Sequence, residues 1–117
     1  MQPDFFDAAD KLIVYGSLAP GEDNYVLLAD LPGTWEKCVI RGHMGSFMGY
    51  KSFRADPGGE EHPAWLFSSP GLPERFPALD DFEGAAYQRV VIQVEIEGRR
   101  VWAHIYEGIY GDYRGMG

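Results

Sequence analysis

The segment Arg89 to Glu97 alternates without a break, with Val90, Ile92, Val94 and Ile96 on one side and Val91, Gln93 and Glu95 on the other. Successive side chains of a strand point to opposite faces, so this period of two predicts a half-buried strand. Glu97-Gly98 or Gly98-Arg99 then supplies the turn of a hairpin into a second strand over Arg100 to Tyr106. A lone hairpin is at best marginally stable in water. The rest of the chain must therefore cover its apolar face.

Material for that cover is spread along the chain. Leu12-Ile13-Val14-Tyr15, stopped by Gly16, reads as a buried strand. The loop Gly16 to Gly21 follows, and Asp23 or Asn24 is placed to cap a short helix over Tyr25-Val26-Leu27-Leu28 that ends before Pro32-Gly33. Trp35 to Met44 reads as a strand although neither face is cleanly apolar, and Pro63 to Ser68 as another. Between them, Gly42 to Gly59 holds five Gly and one Pro, and Asp56 to Glu61 reads as a turn or surface loop. Pro73 to Glu83 has helical spacing, with Gly84 placed as a left-handed cap. Pro77 removes one hydrogen bond, so the regular helix is expected to begin there after a separate first turn. Five to six strands, two or more short helices and no βαβ alternation predict an α+β fold. Its sheet would be mixed or antiparallel and able to curl into a small β-barrel.

At 117 residues the chain fits one domain, 1–117, with an ordered core expected over about 11–107. Its formal charge of -8, with no basic run, disfavours nucleic acid and anionic membrane surfaces as partners. The single Cys38 cannot form an internal disulfide and reads as a buried structural thiol. Met1 to Asp10 lacks an apolar stretch behind a basic start, and no run of about 18 apolar residues exists, so a cytoplasmic location is expected. His43, His62 and His104 are too scattered for a metal set, so no metal is expected, and with no Gly-x-Gly-x-x-Gly for a dinucleotide no cofactor is expected either. Ser17 lacks the Gly-x-Ser-x-Gly elbow of a serine hydrolase.

On a helical wheel Leu72, Phe76, Leu79 and Phe82 share one stripe, and Glu83 falls inside it, with Asp80 at its edge and Asp81 opposite. An inward carboxylate near a helix C-terminus is pushed toward its neutral form by lost hydration and by the helix dipole, which suits a general acid/base near neutral pH. The same position also suits a plain ion pair with Arg89. A second constellation is Tyr15-Gly16-Ser17-Leu18-Ala19-Pro20-Gly21, whose backbone N–H groups can cradle an anion or simply form a turn; it lacks the lysine of a P-loop. A third is Tyr87-Gln88-Arg89, either a pair that orients Glu83 or a substrate, or a core tyrosine and a surface arginine.

Val14-Tyr15-Gly16-Ser17-Leu18, then Pro20-Gly21 and Asn24, then Leu79-Asp80-Asp81-Phe82-Glu83-Gly84, then Tyr87-x-Arg89 before a Val-rich strand, together resemble the gamma-glutamylcyclotransferase-like family, which includes AIG2-like proteins. Leu79 to Val94 is especially similar to gamma-glutamylamine cyclotransferases. The resemblance implies a small β-barrel with a cavity where the Tyr-Gly-Ser-Leu loop meets the glutamate, and a reaction in which a γ-glutamyl amide or amine closes to 5-oxoproline and frees an amine. It implies Glu83 as the proton carrier, and Gly16, Ser17 and Leu18 amides on the substrate carboxylate. Tyr15 would line the cavity and Tyr106 close it; Tyr87 and Arg89 stand beside these as candidate substrate-binding residues from the third constellation. Ala64-Trp65-Leu66-Phe67 and Tyr50-Lys51 depart from the Gly-Glu-Leu-Tyr-like strand and the Tyr-Pro pair common in the family. The alternative functions are a non-catalytic domain that binds a small carboxylate in the same pocket, and an interaction module that uses Tyr106, Tyr110 and Tyr113.

Overall fold

The computed structural model describes residues 5–109. A 3-10 helix, Phe5–Asp10, leads into β1 (Lys11–Val14), α1 (Val26–Ala29), β2 (Thr34–Phe47), β3 (Tyr50–Ala55), β4 (Glu60–Ser68), α2 (Leu72–Glu83), a 3-10 turn (Gly84–Ala86), β5 (Tyr87–Ile96) and β6 (Arg99–Gly108). The strands form one sheet in the order β3-β2-β4-β1-β6-β5. All described pairs are antiparallel except β1 with β6, where Leu12 faces His104 and Ile13 faces Ile105. The sheet is thus mixed, and it curls into a nearly closed barrel. Across the remaining gap Arg54 Nε donates to the Gly108 carbonyl, the Ala55 N–H donates to a Glu107 carboxyl oxygen, and the Tyr87 hydroxyl donates to the Lys51 carbonyl.

The β5–β6 hairpin turns at Glu97-Gly98, both with positive φ (51° and 82°), the backbone that matches the twist of its strands. The Gly-rich middle of the chain differs from the sequence expectation. Strand β2 runs on to Phe47 and reverses at Met48-Gly49, again with two positive φ values (55° and 86°), into β3. This 14-residue strand changes partner at Gly42, which pairs with Glu60 of β4 and Ala55 of β3. A Cβ at Gly42 would lie 2.0 Å from the Arg54 carbonyl oxygen, so this corner of the barrel admits only glycine.

Both faces of β1 are buried, and they enter different cores. Ile13 joins Ile40, Phe53, Leu66, Val94 and Ile105 inside the barrel. Leu12 and Val14 point the other way, toward Leu28, Phe67, Leu72, Phe76 and Leu79 under the helices. Helix α2 is continuous through Pro77, its sixth residue, at the cost of the one i→i−4 bond that a proline cannot donate. Burial of Leu72, Phe76 and Leu79 holds the helix in register. Gly84 ends the helix with positive φ but an extended ψ (76°, -169°), not as a left-handed cap, and its N–H bonds to the Asp80 carbonyl. Tyr25, not Asp23 or Asn24, precedes α1; Asn24 instead donates its side-chain amide to Ser17 Oγ. Cys38 lies in the barrel core, where burial pushes its thiol up to about 11 and keeps it protonated.

Candidate functional site

The end of β1, the start of β3, the start of β5, the end of β6 and the last turn of α2 converge at one end of the barrel. They enclose a cavity of about 230 Å³, smaller than the roughly 300–1,000 Å³ of drug-sized sites. Its lining includes Tyr15, Gly16, Ser17, Leu18, Tyr87 and Tyr106 together with Glu83. Residues far apart in sequence meet here because β1 lies at the middle of the sheet, against β6.

Glu83 reaches the cavity because it lies seven residues beyond Phe76 and four beyond Leu79, on the same helix face. Burial pushes its carboxyl up to about 7. Lost hydration is the cause, and among the described residues no hydrogen bond or ion pair reaches the group to offset it. The group therefore exchanges a proton near neutral pH.

Asp80, one turn earlier, has the opposite environment. Arg89 grips it through two bonds of 2.9 and 3.1 Å, and the Tyr106 hydroxyl donates to it at 2.7 Å. The Arg89 bonds, with help from Tyr106, hold the Asp80 carboxyl below its usual range despite some burial. Burial and this same bond keep Tyr106 a neutral phenol. Arg89 also stacks over the Phe76 ring at 4.2 Å and points Nη1 at His104 Nδ1, 3.3 Å away. Burial and then the Arg89 charge lower the His104 pKa, so its ring accepts that bond as a neutral imidazole. Arg89 is accordingly committed to Asp80 and is not part of the cavity lining.

The loop after β1 supplies the third feature. The Asn24 N–H donates to the Ser17 carbonyl, Asn24 Nδ2 to Ser17 Oγ, and the Ala19 N–H to the Gly16 carbonyl. These bonds pin the loop by its oxygens. Among the described residues none takes up the N–H groups of Gly16, Ser17 and Leu18. Three donors that folding leaves unused, beside a cavity that holds the Glu83 carboxyl, are chemically able to receive an anion.

A family model described as gamma-glutamyl cyclotransferase, AIG2-like, matches residues 12–114. The chain belongs to this family. Solved structures with the same fold include an AIG2-like protein from Mus musculus (20% identity, TM-score 0.70, 90% of this chain and 85% of that one). An uncharacterized protein from Pyrococcus horikoshii is similar at 19% identity and TM-score 0.66, over 90% of this chain and 81% of that one. The Kluyveromyces lactis urea amidolyase is similar at 18% identity and TM-score 0.64, over 92% of this chain but only 7% of the larger enzyme. No curated protein sequence matches significantly.

Ile13, Val14, Tyr50, Lys51 and Phe82 complete the lining of the gamma-glutamyl cyclotransferase-like cavity, and no sequence signal assigns any of these five to the site. Phe82 shares the helical stripe of the core residues but is 45% exposed, because the last turn of α2 carries it to the cavity rim. Tyr106 is buried at 5% exposure and cannot serve as an exposed docking aromatic; Tyr110, Tyr113 and the 111–117 tail lie outside the described residues. Among the described residues no cluster of His, Cys, Asp and Glu could hold a metal, and no helix is long and apolar enough to cross a membrane.

Tyr15 braces the site from below. Its hydroxyl donates to the Tyr106 carbonyl at 2.6 Å and accepts the Phe53 N–H at 3.2 Å, tying β1, β6 and β3 together. Tyr15→Phe is expected to cost about 1–2 kcal/mol, read as a lower urea midpoint with an unchanged slope.

Proposed function

We propose that the protein is a cyclotransferase that converts a γ-glutamyl amide or γ-glutamyl amine into 5-oxoproline and a free amine. The observation that carries this reading is an unpartnered Glu83 carboxyl, poised near neutral pH, in the same small cavity as the unused amides of Gly16 to Leu18.

The substrate's α-carboxylate sits on those amides. Its α-ammonium gives a proton to the Glu83 carboxylate, and the freed amine attacks the γ-carbonyl carbon of the same molecule. A C–N bond forms and closes the five-membered ring. Glu83 then returns the proton to the departing nitrogen as the old amide bond breaks, and the ring nitrogen gives up its second proton to the released amine, which leaves as an ammonium ion. No water is consumed and the carboxylate ends as it began. Nucleophile and electrophile belong to one molecule, so holding it folded supplies much of the acceleration, and a single acid/base supplies the proton transfers. The walls of Tyr15, Tyr87 and Tyr106 exclude water and hold the Glu83 pKa up.

A panel of γ-glutamyl amino acids, peptides and alkylamines, with 5-oxoproline as the readout, tests the reading. Release of 5-oxoproline and amine in equal amounts is the expected result. Thermal stabilisation by panel members without any 5-oxoproline would instead leave a carboxylate-binding domain.

A further inference from the structure

Asn24 has no part in the steps proposed for the cavity, yet its backbone and side-chain donors both end on the loop that forms one wall of it. After β1 the chain makes two successive turns, closed by the Ala19 N–H on the Gly16 carbonyl at 3.0 Å and by the Glu22 N–H on the Ala19 carbonyl at 2.9 Å. It then comes back to Ser17, seven residues earlier in the chain. Asn24 holds that residue twice, its N–H donating to the Ser17 carbonyl at 2.8 Å and its Nδ2 to Ser17 Oγ at 2.9 Å.

Each bond fixes a different donor. A trans peptide is planar, with its carbonyl and its N–H on opposite sides. The Asn24 N–H on the Ser17 carbonyl therefore turns the Leu18 N–H the other way, and the Ala19 N–H on the Gly16 carbonyl does the same for the Ser17 N–H. The side-chain bond acts on the hydroxyl. A serine hydroxyl has one hydrogen to give and two lone pairs to fill, and an amide NH₂ can only donate. Asn24 Nδ2 thus fills a lone pair and leaves the hydrogen available; among the described residues nothing accepts it. Ser17 is partly exposed and lines the Glu83 cavity. Three amides and one hydroxyl, all donors, suit a group that only accepts, as an ionised carboxylate does.

We propose that the Ser17 hydroxyl is a fourth donor to the substrate's α-carboxylate, and that Asn24 is the positioning residue that keeps its hydrogen turned to the cavity. This inference rests on the cyclotransferase reading for the identity of the substrate and adds to it a side-chain contact and the residue that aims it.

Asn24→Asp tests the aim. The carboxylate has the shape of the amide, and the backbone bond to the Ser17 carbonyl stays, but both side-chain oxygens can only accept. The Ser17 hydrogen is then drawn away from the cavity. With the panel member of highest kcat/KM as substrate, Ser17→Ala is expected to raise KM about tenfold. Asn24→Asp should raise it at least as much, since it also sets a negative charge near the anion. In both, kcat should change by no more than about threefold, because the lost donor holds the carboxylate and not the reacting carbonyl. Once residue 17 is alanine, adding Asn24→Asp should raise KM by no more than about a further threefold, the share due to charge alone. An unchanged KM in Ser17→Ala overturns the inference. So does Asn24→Asp equal to wild type, which would mean that the Asn24 side chain accepts from Ser17. A double variant whose KM rises by the product of the two single effects also overturns it, since Asn24 would then act on the loop as a whole. If no panel member is turned over, the cyclotransferase reading fails, and calorimetry with γ-glutamyl-ethylamide, whose only carboxylate is the α one, decides instead. The same pattern in Kd supports the inference, and either no binding by the wild type or a Kd that Ser17→Ala leaves unmoved overturns it.

Discussion

Glu83→Gln is expected to lower kcat by about 10³-fold or more while leaving substrate affinity within a few fold, because the amide fills the same space and cannot carry a proton. Wild-type kcat/KM should rise with pH and level off above about 7, where the Glu83 carboxyl has become a carboxylate able to accept the substrate's proton. The variant should lack that inflection. Turnover by Glu83→Gln equal to wild type would remove the residue from the mechanism.

The same substitution has a stability signature with a definite sign. The Glu83 carboxyl has a pKa of 4.5 in an unfolded chain and about 7 in the folded one. Below pH 4.5 both states hold the proton and burial costs nothing in charge. As pH rises from there to about 7 the unfolded chain releases the proton and the folded chain keeps it, so stability falls; above that range the loss is complete. Its size is on the order of 2–3 kcal/mol after allowing for partial contact with solvent. Glu83→Gln should therefore melt close to wild type at pH 4.5 and clearly above it at pH 8, a gain in stability paired with a loss of activity. The comparison needs only thermal melts of both proteins across that range. A melting difference that stays constant with pH would mean that Glu83 is not desolvated.

Glu83 was legible in the sequence because the property that matters, facing inward on α2, follows from spacing to Phe76 and Leu79 within one helix. The loop after Tyr15 was legible for a similar reason: a β-branched run ends abruptly in small residues. The β2–β3 reversal was not, since Met48 gives no turn signal although it takes a positive φ, and glycines that read as loop serve a long strand that bends at Gly42. Without that hairpin, Tyr50 and Lys51 could not be placed at the cavity. Arg89 shows a different limit. Both Asp80 and Glu83 lie within reach of it in sequence, and which one it binds depends on how α2 crosses β5, a tertiary fact. Phe82 obeyed the helical period and still sits half-exposed, because a wheel reports direction and not whether anything lies opposite.

The choice that Arg89 makes leads to the second large effect. Asp80→Ala would strand two groups at once: the Tyr106 hydroxyl, on a residue only 5% exposed, and the Arg89 guanidinium, held against the Phe76 ring and His104. A buried hydroxyl without an acceptor and a half-buried cation without its counter-ion together cost about 2–3 kcal/mol, discounted because Asp80 itself has 42% of its side chain in solvent. Activity should fall with it, since Tyr106 is a wall of the cavity and Asp80 holds that ring in place. Adding Arg89→Met should restore part of the lost stability, as it removes the unpaired charge; if the double variant is instead less stable than Asp80→Ala, the ion pair is not the source of the loss. The pH dependence separates this carboxylate from its neighbour one turn away. Asp80 has its folded pKa held below the ordinary 3.8, so its contribution is complete above that value and is lost only as the solution is acidified through the lowered folded pKa. The stability gap between wild type and Asp80→Ala should thus stay level from neutral pH down to about 4 and close below it, whereas the gap opened by Glu83→Gln closes between pH 8 and 4.5. Two carboxylates on one helix turn thus have opposite environments, one gripped by Arg89 and one facing an apolar hollow: Asp80 keeps its charge beside the wall, and the raised pKa of Glu83 suits it to the proton transfers of the proposed reaction.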